Sequence, residues 1–241
     1  MSYRPGDSLI CYASKIAQCA GLHPYAGQEE LRGEVLKLLG KHDDFVSTED
    51  KAREAISKLD ENTRRLVEGP MVESFSNARE IQDRLVEMEK TLETKEEGAL
   101  IANALKSSMY TNHGNEKEGI IREKTSQKIS KNIATSNKFV VSREPLFAVH
   151  GVEVYVGGRH DGMTEDSKIV EIKTRQRRFM GTPKYELVQI HAYMVMHGVR
   201  EAILVESLNG EEKTHAVVFD EELWADVKGR LEVFFLDVLS S

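Results

Sequence analysis

The sequence predicts an α/β chain: a helical front half, followed by a mixed β-sheet with helices on its flanks. Three observations predict it. From Gln28 to Asn112 the residues are charged, poor in glycine and proline, and apolar at helical spacing. From Val152 onward, short runs of alternating or continuous β-branched residues take over, at Val152–Val156, Ile169-Val170, Ala202–Val205 and His215–Phe219. Between and after these runs, helix-start signals recur at Pro183 and Asp220.

The elements follow in order. Tyr12-Ala13-Ser14-Lys15-Ile16 opens an apolar-periodic segment (Ile16, Ala17, Ala20). Ser14 there is either an ordinary N-cap or a hydroxyl beside free N–H groups able to receive an anion. Arg4 lies ahead of it in a tail expected to fray. Three helices follow, marked by Leu31, Val35, Leu38 and Leu39, by Ala52, Ile56, Leu59 and Leu66, and by Ile81, Leu85 and Met88. Ser47 or Thr48 with Asp50 supplies a start signal, and Gly69-Pro70 an interruption. Glu89 to Glu97 is charged without glycine or proline, and is expected to continue or join helices. Gly114-Asn115-Glu116-Lys117-Glu118 opens a further helix through Ile120, Ile121, Lys124 and Ile129.

Val152, Val154 and Val156 alternate as a half-buried strand requires, and Gly157-Gly158 is expected to bend the chain and deliver Asp161 near a turn. A helix from Tyr185 to Gly198 follows, then two strands around an Asn209-Gly210 hairpin turn. Asp220 caps a last helix carrying Leu223, Trp224, Val227, Leu231 and Phe234, with Trp224 expected in the core. There is no internal repeat and no low-complexity segment.

The chemistry concentrates at Asp161 and Glu171-Ile172-Lys173. Side chains repeat every two residues along a strand, so Glu171 and Lys173 share a face. Two carboxylates and an ammonium then converge at one end of a hairpin. Oxygen ligands of this kind suit Mg²⁺ or Mn²⁺, and a lysine beside them can orient or deprotonate a water. That outlines a site for cleaving phosphodiesters. The same residues could also be a solvated hairpin with a surface Glu–Lys pair. Gln189 and Tyr193, four apart, project from one helical face close behind it in sequence.

Taken together and in this order, G-x3-E (Gly114, Glu118), D-G (Asp161-Gly162), E-x-K (Glu171, Lys173) and Q-x3-Y (Gln189, Tyr193) resemble the PD-(D/E)XK nuclease superfamily. Within it they resemble the branch of the phage lambda exonuclease, YqaJ-type and RecB-like enzymes. The resemblance extends from about Gly114 to Tyr193, and more loosely to Ala13-Ser14. E-I-K-T-R followed by K-Y-E-L-V-Q-I-H-A-Y-M looks most like versions found in large DNA viruses and some eukaryotes. His160 stands where the family name records proline, at a position variable in this branch. The resemblance implies a restriction-endonuclease-like mixed sheet flanked by helices, with helix, three strands, helix and strand around the site. It implies residues 113–241 as the nuclease core and residues 1–112 as a helical region forming one wall of a DNA passage. It further implies that Asp161, Glu171 and the Ile172 carbonyl hold one or two ions, approached by Glu118, with Glu116 a weaker candidate in that register. Lys173 would position the attacking water, Gln189 and Tyr193 would support it, and Ser14 with Lys15 would meet a phosphate. The activity implied is 5′ to 3′ exonucleolysis of DNA from a duplex end. DNA (duplex end or single strand), a single-strand annealing or binding protein and further copies of the chain are the expected partners.

Composition narrows the classes. A net charge of −7 over 241 residues argues against a uniformly basic nucleic-acid binder. Two local basic tracks remain: Lys173, Arg175, Arg177, Arg178 and Lys184, and Lys124, Lys128, Lys131 and Lys138. Arg175, Arg177 and Arg178 are the DNA-binding candidates, being nearest the carboxylates. Two cysteines, Cys11 and Cys19, are too few for the four ligands of an iron–sulfur cluster, and no cluster is expected. Neither a secretory leader nor an apolar run of about 20 residues is present, so an intracellular chain with reduced thiols and no membrane partner is expected. His160 and His191 lie near the motif, but no zinc-ligand spacing accompanies them, and they are expected to support the site residues from behind or to be structural. Two other classes fit the motif less fully. A cap-snatching type RNA endonuclease gives no reason for Gln189 to Tyr193, and a non-catalytic DNA-binding descendant would be expected to lose Glu171 or Lys173.

Overall fold

The computed structural model describes residues 1–4, 8–92, 97–136 and 138–241, with residues 2–4 described by their backbone. It is mixed α/β, as the sequence predicts. The front consists of β1 (Ser2–Arg4), β2 (Ser8–Tyr12) and α1 (Ala13–Cys19), then α2 (Glu29–Leu38), α3 (Thr48–Ser57), α4 (Glu61–Val72) and α5 (Ala78–Leu92). The long α6 (Gly98–Ile129) leads to β3 (Ile133–Ala134), β4 (Val140–Val141), β5 (Phe147–Val149), β6 (Val152–Gly158), β7 (Gly162–Thr164) and β8 (Ile169–Thr174). Helix α7 (Lys184–His197), strands β9 (Glu201–Leu208) and β10 (Glu211–Val218), and α8 (Glu221–Ser240) complete the chain.

Several local signals act as the sequence predicts. Ser47 caps α3 by accepting from the Asp50 N–H, and Asp220 caps α8 by accepting from Glu222 and Leu223. Asn209 and Gly210 turn between β9 and β10 with φ of 50° and 87°, the positive pair that this tight hairpin requires. Trp224 is buried in the main core. Other signals are overridden. Pro70 lies inside α4, two residues before its end, so Gly69-Pro70 does not break the helix. Gly114 is in the middle of α6 rather than at its start. A mid-helix glycine costs about 1 kcal/mol relative to alanine. Burying a side chain such as Leu105 or Met109 on the same helix returns about 1.5–3 kcal/mol each, so packing wins. Arg4 belongs to β1, which pairs with β2 instead of fraying, and its side chain lies outside the described residues. Of the charged segment from Glu89 to Glu97, residues 93–96 also lie outside them.

The strands form two sheets, ordered β1-β2-β6-β4 with β5 also on β6, and β10-β9-β8-β7-β3. Both are mixed: β2 runs parallel to β6 and β8 parallel to β9, while the remaining pairs are antiparallel. The region between α6 and α7 therefore holds more strands than the three expected. The additional strands are two or three residues long, too short for an alternation to register. Gly157 and Gly158 lie within β6 and do not bend it. A Cβ at Gly158 would stand 3.0 Å from the Tyr193 ring and 3.2 Å from the Ala13 Cβ, so the glycine provides room for α7 and α1. The chain crosses from the first sheet to the second at residues 159–161, and Asp161 stands at that crossing.

The main core joins Leu9, Cys11, Ile16, Val154, Val156, Ile169, Leu204 and the inner faces of α7 and α8. Cys11 and Cys19 are free, buried thiols in it, 3.7 Å apart. The first half of α6 packs against α3, α4 and α5 through Ile101, Leu105 and Met109. Its second half lays Ile121 on the sheet face of Val170, Ile172 and Val205. The division between residues 112 and 113 thus falls inside one helix that serves both regions. Among the described residues no helix is long and apolar enough to cross a membrane.

Candidate active site

The site forms where the sheet crossing meets β8. Val170 and Ile172 turn toward α6, so the alternation of β8 sends Glu171 and Lys173 to the opposite face, under α7. Asp161 reaches the same place from the crossing: its Oδ2 accepts the Ile172 N–H at 2.6 Å. The glycine after it is required by close approach, since a Cβ at Gly162 would stand 2.5 Å from Ile133 Cγ2 and 3.4 Å from Arg122 Cδ.

A chain of polar contacts fixes the ammonium. Lys173 Nζ donates to Glu171 Oε1 at 2.8 Å and to Gln189 Oε1 at 3.1 Å. Gln189 Nε2 donates to Tyr193 Oη at 2.9 Å, which in turn donates to the Arg159 carbonyl at 3.1 Å. The four-residue spacing on α7 thus ties Lys173 back to the segment that delivers Asp161.

The electrostatics follow from burial. Asp161 is pushed from its ordinary 3.8 up to about 8, first by burial and then by the charges of Glu171 and Glu118, against the pull of the Ile172 N–H and Lys173. Burial also raises Glu171, against the nearby ammonium. Burial alone would lower Lys173, but the negative charge of Glu171 outweighs it and keeps the lysine protonated. Burial and the mutual repulsion of the two carboxylates therefore favour a proton retained within the pair.

A cation would suit this arrangement. Glu171 Oε2 is buried with no hydrogen-bond partner, beside a second carboxyl that burial leaves protonated. A divalent ion would satisfy the first and displace the proton of the second. Of the three carboxylates expected as ligands, Asp161 and Glu171 share this arrangement. Glu118 instead accepts from Arg122 Nη1 at 2.7 Å, while the same nitrogen donates to the Asp161 carbonyl at 3.1 Å. Among the described residues, no three histidine, cysteine, aspartate or glutamate side chains converge as a metal-holding group. Glu116 faces away, bonded to Ser74.

The DNA-binding candidates separate. Arg175 is not available to a phosphate: it is 8% exposed, bonds both carboxylate oxygens of Glu186 at 2.6 and 2.7 Å, and reaches Glu206 at 2.6 Å. Glu206 also accepts the N–H groups of Met180 and Gly181 and meets His215 Nε2 at 2.8 Å, so the cluster pins the loop between β8 and α7. Arg177 and Arg178 are exposed on that loop. Ser14 is exposed and Lys15 half-buried in the first turn of α1; the cap position is Tyr12, with no side-chain cap bond, so Ser14 is not the N-cap. His160 packs against the Tyr193 and His197 rings, and His191 accepts the Asp220 N–H, linking α7 to the start of α8. Sequence reasoning missed Arg122, although its spacing of four from Glu118 marks a helical pair. It also missed Glu186 and Glu206, for which no local pattern exists.

No protein-family model matches the sequence, and no curated protein matches it. Solved structures do match in shape. The crystal structure of an alkaline exonuclease from Laribacter hongkongensis is 12% identical and matches with a TM-score of 0.54 over 96% of this chain and 88% of that one. A structure of that protein in complex with dAMP matches at 0.44, with 15% identity over 64% of this chain and 86% of that one. A phage-related exonuclease from Haemophilus somnus is 14% identical and matches at 0.47 over 96% of both chains. The first of these likenesses shows a shared fold across nearly the whole length.

Proposed function

We propose that this chain is a metal-dependent deoxyribonuclease that hydrolyses DNA phosphodiesters from duplex ends, 5′ to 3′. The observation that carries this reading is the side-by-side placement of Asp161, Glu171 and Lys173, with the lysine held by Gln189. A fold shared with an enzyme named an alkaline exonuclease supports it.

Asp161, Glu171 and the Ile172 carbonyl would hold Mg²⁺ or Mn²⁺, with Glu118 joining them on leaving Arg122. A bound ion would neutralise charge on the scissile phosphate, the dominant requirement for so slow a hydrolysis. Lys173, oriented by Gln189 and Tyr193, aims an N–H at the water that attacks. Ser14, Lys15, Arg177 and Arg178, which are exposed or half-buried, would contact the strand. The single strand left behind is the form an annealing or single-strand-binding partner takes up.

The test is digestion of 5′-labelled and 3′-labelled linear duplexes and of a covalently closed circle, with and without Mg²⁺. Release of nucleotides from the 5′ end of the linear duplex, in Mg²⁺ alone, is the expected result. A circle digested as fast as the linear form would sink the exonuclease reading, and no cleavage under any metal would sink the enzyme reading.

A further inference from the structure

We infer that His23, Tyr25 and Tyr185 form a nucleobase-stacking platform beside the active site, a proposal that rests on the nucleic-acid reading above. Their rings gather at one point although they come from two elements far apart in sequence. His23 and Tyr25 belong to the loop between α1 and α2, and Tyr185 to the first turn of α7. His23 lies 5.2 Å and Tyr25 lies 6.2 Å from the Tyr185 ring, and they are 6.0 Å from each other. Tyr25 meets its two neighbours nearly at right angles, at 78° and 79°. Rings so disposed make a corner, where a flat base can stack on one ring while its edge meets another.

Exposure separates this cluster from packing. A cluster formed for stability would bury its rings, yet Tyr25 is 77% exposed. The loop that presents it is held at both ends: buried Gln18 donates to the Gly27 carbonyl at 2.7 Å, and Gln28 donates to the Cys19 carbonyl. Within the loop, the Tyr25 N–H donates to His23 Nδ1 at 3.3 Å, which sets the His23 ring and leaves that nitrogen without a proton. Burial and then the Lys15 charge hold His23 below its ordinary value, so the ring is neutral at pH 7. An exposed aromatic surface on a tethered loop is a preorganised surface.

Position ties the platform to the chemistry. Tyr185 precedes Gln189 by one helical turn, about 6 Å along α7, and Gln189 holds Lys173. Helix α1, carrying Ser14 and Lys15, packs against α7, and the Lys15 charge acts on His23. A nucleotide whose phosphate sits at Lys173 has its own base, or its neighbour's, within reach of the corner. Stacking is tolerant of sequence because every base has a π-face, which suits an enzyme that degrades DNA of any sequence.

The experiment measures binding of fluorescent single-stranded and 5′-overhang oligonucleotides in EDTA, where nothing is cut. Each oligonucleotide is made intact and with one abasic nucleotide at successive positions from the 5′ end. Wild type should lose roughly 10-fold in affinity when the base at one position is missing. Tyr25→Ala should bind intact DNA that much more weakly and no longer distinguish the abasic strand, while Tyr25→Phe retains the discrimination. Tyr185→Leu, which keeps bulk on α7, should behave like Tyr25→Ala. If wild type is indifferent to every abasic position, or the variants lose intact and abasic strands equally, the platform is overturned alone. If wild type binds no oligonucleotide at all, the nucleic-acid reading falls first and the platform with it.

Discussion

Asp161 accepts the backbone N–H of Ile172 at 2.6 Å, so a carboxylate arriving from the sheet crossing is pinned to the segment that carries Glu171 and Lys173. The site is therefore held by backbone as well as by side chains, and isosteric changes can remove its charges without dissolving it. Asp161→Asn keeps an acceptor for Ile172, and Glu171→Gln keeps one for Lys173. Each, like Lys173→Ala, is expected to lower the rate of DNA cleavage by on the order of 10³-fold or more, because such groups act as a unit. Single-turnover assays check this, and a near wild-type rate in any variant removes that residue from the mechanism.

The contribution of Asp161 to stability without metal should fall as the pH rises. Asp161 has a folded value of about 8 against an ordinary 3.8, so the folded protein holds a proton that the unfolded chain releases. That contribution is complete below about pH 4 and is lost as the pH climbs through 8. In EDTA, the melting temperature of wild type relative to Asp161→Asn should decline between these limits, so that Asp161→Asn melts higher at pH 8. Added Mg²⁺ should narrow the difference by replacing the proton. An unchanged pH profile in Asp161→Asn would contradict the buried, protonated carboxyl.

Arg175 and its neighbours on the loop should part company. Arg175→Ala leaves Glu186 and Glu206 without their buried partner, a loss of about 3–5 kcal/mol, so unfolding at much lower denaturant is expected. Arg177→Ala and Arg178→Ala touch exposed groups and should leave the midpoint alone. Each should instead lower the salt dependence of DNA binding by about one unit of log–log slope. Chemical denaturation and binding titrations over a salt series separate the two behaviours.

Ser14→Ala provides a similar separation. Ser14 is exposed and makes no cap bond at the start of α1, so its loss should change stability by no more than about 0.5 kcal/mol. DNA binding or end preference should weaken all the same. A lower melting temperature with unaltered binding would remove Ser14 from the list of phosphate contacts.

What the sequence determined by itself is local. Period-two alternation set Glu171 and Lys173 on one face, four-residue spacing set Gln189 and Tyr193 on another, and Asn209-Gly210 and Asp220 marked a turn and a cap. Each of these rests on backbone geometry within a few residues, and the structure contains each of them. Tertiary structure decided what those faces were packed against. Leu9, Ile10 and Cys11 became a strand because β6, far along the chain, lies beside them. Gly157 and Gly158 made room for packing instead of a bend, and Glu118 was drawn to Arg122 beside the Asp161 carbonyl. Arg175 is the clearest case: a cation two residues past the lysine has the sequence of a phosphate ligand. Carboxylates 11 and 31 positions away enclose it, and neither can be inferred from the residues around it. Periodicity records that a face is buried, whereas the identity of its partner depends on contacts between residues distant in the chain.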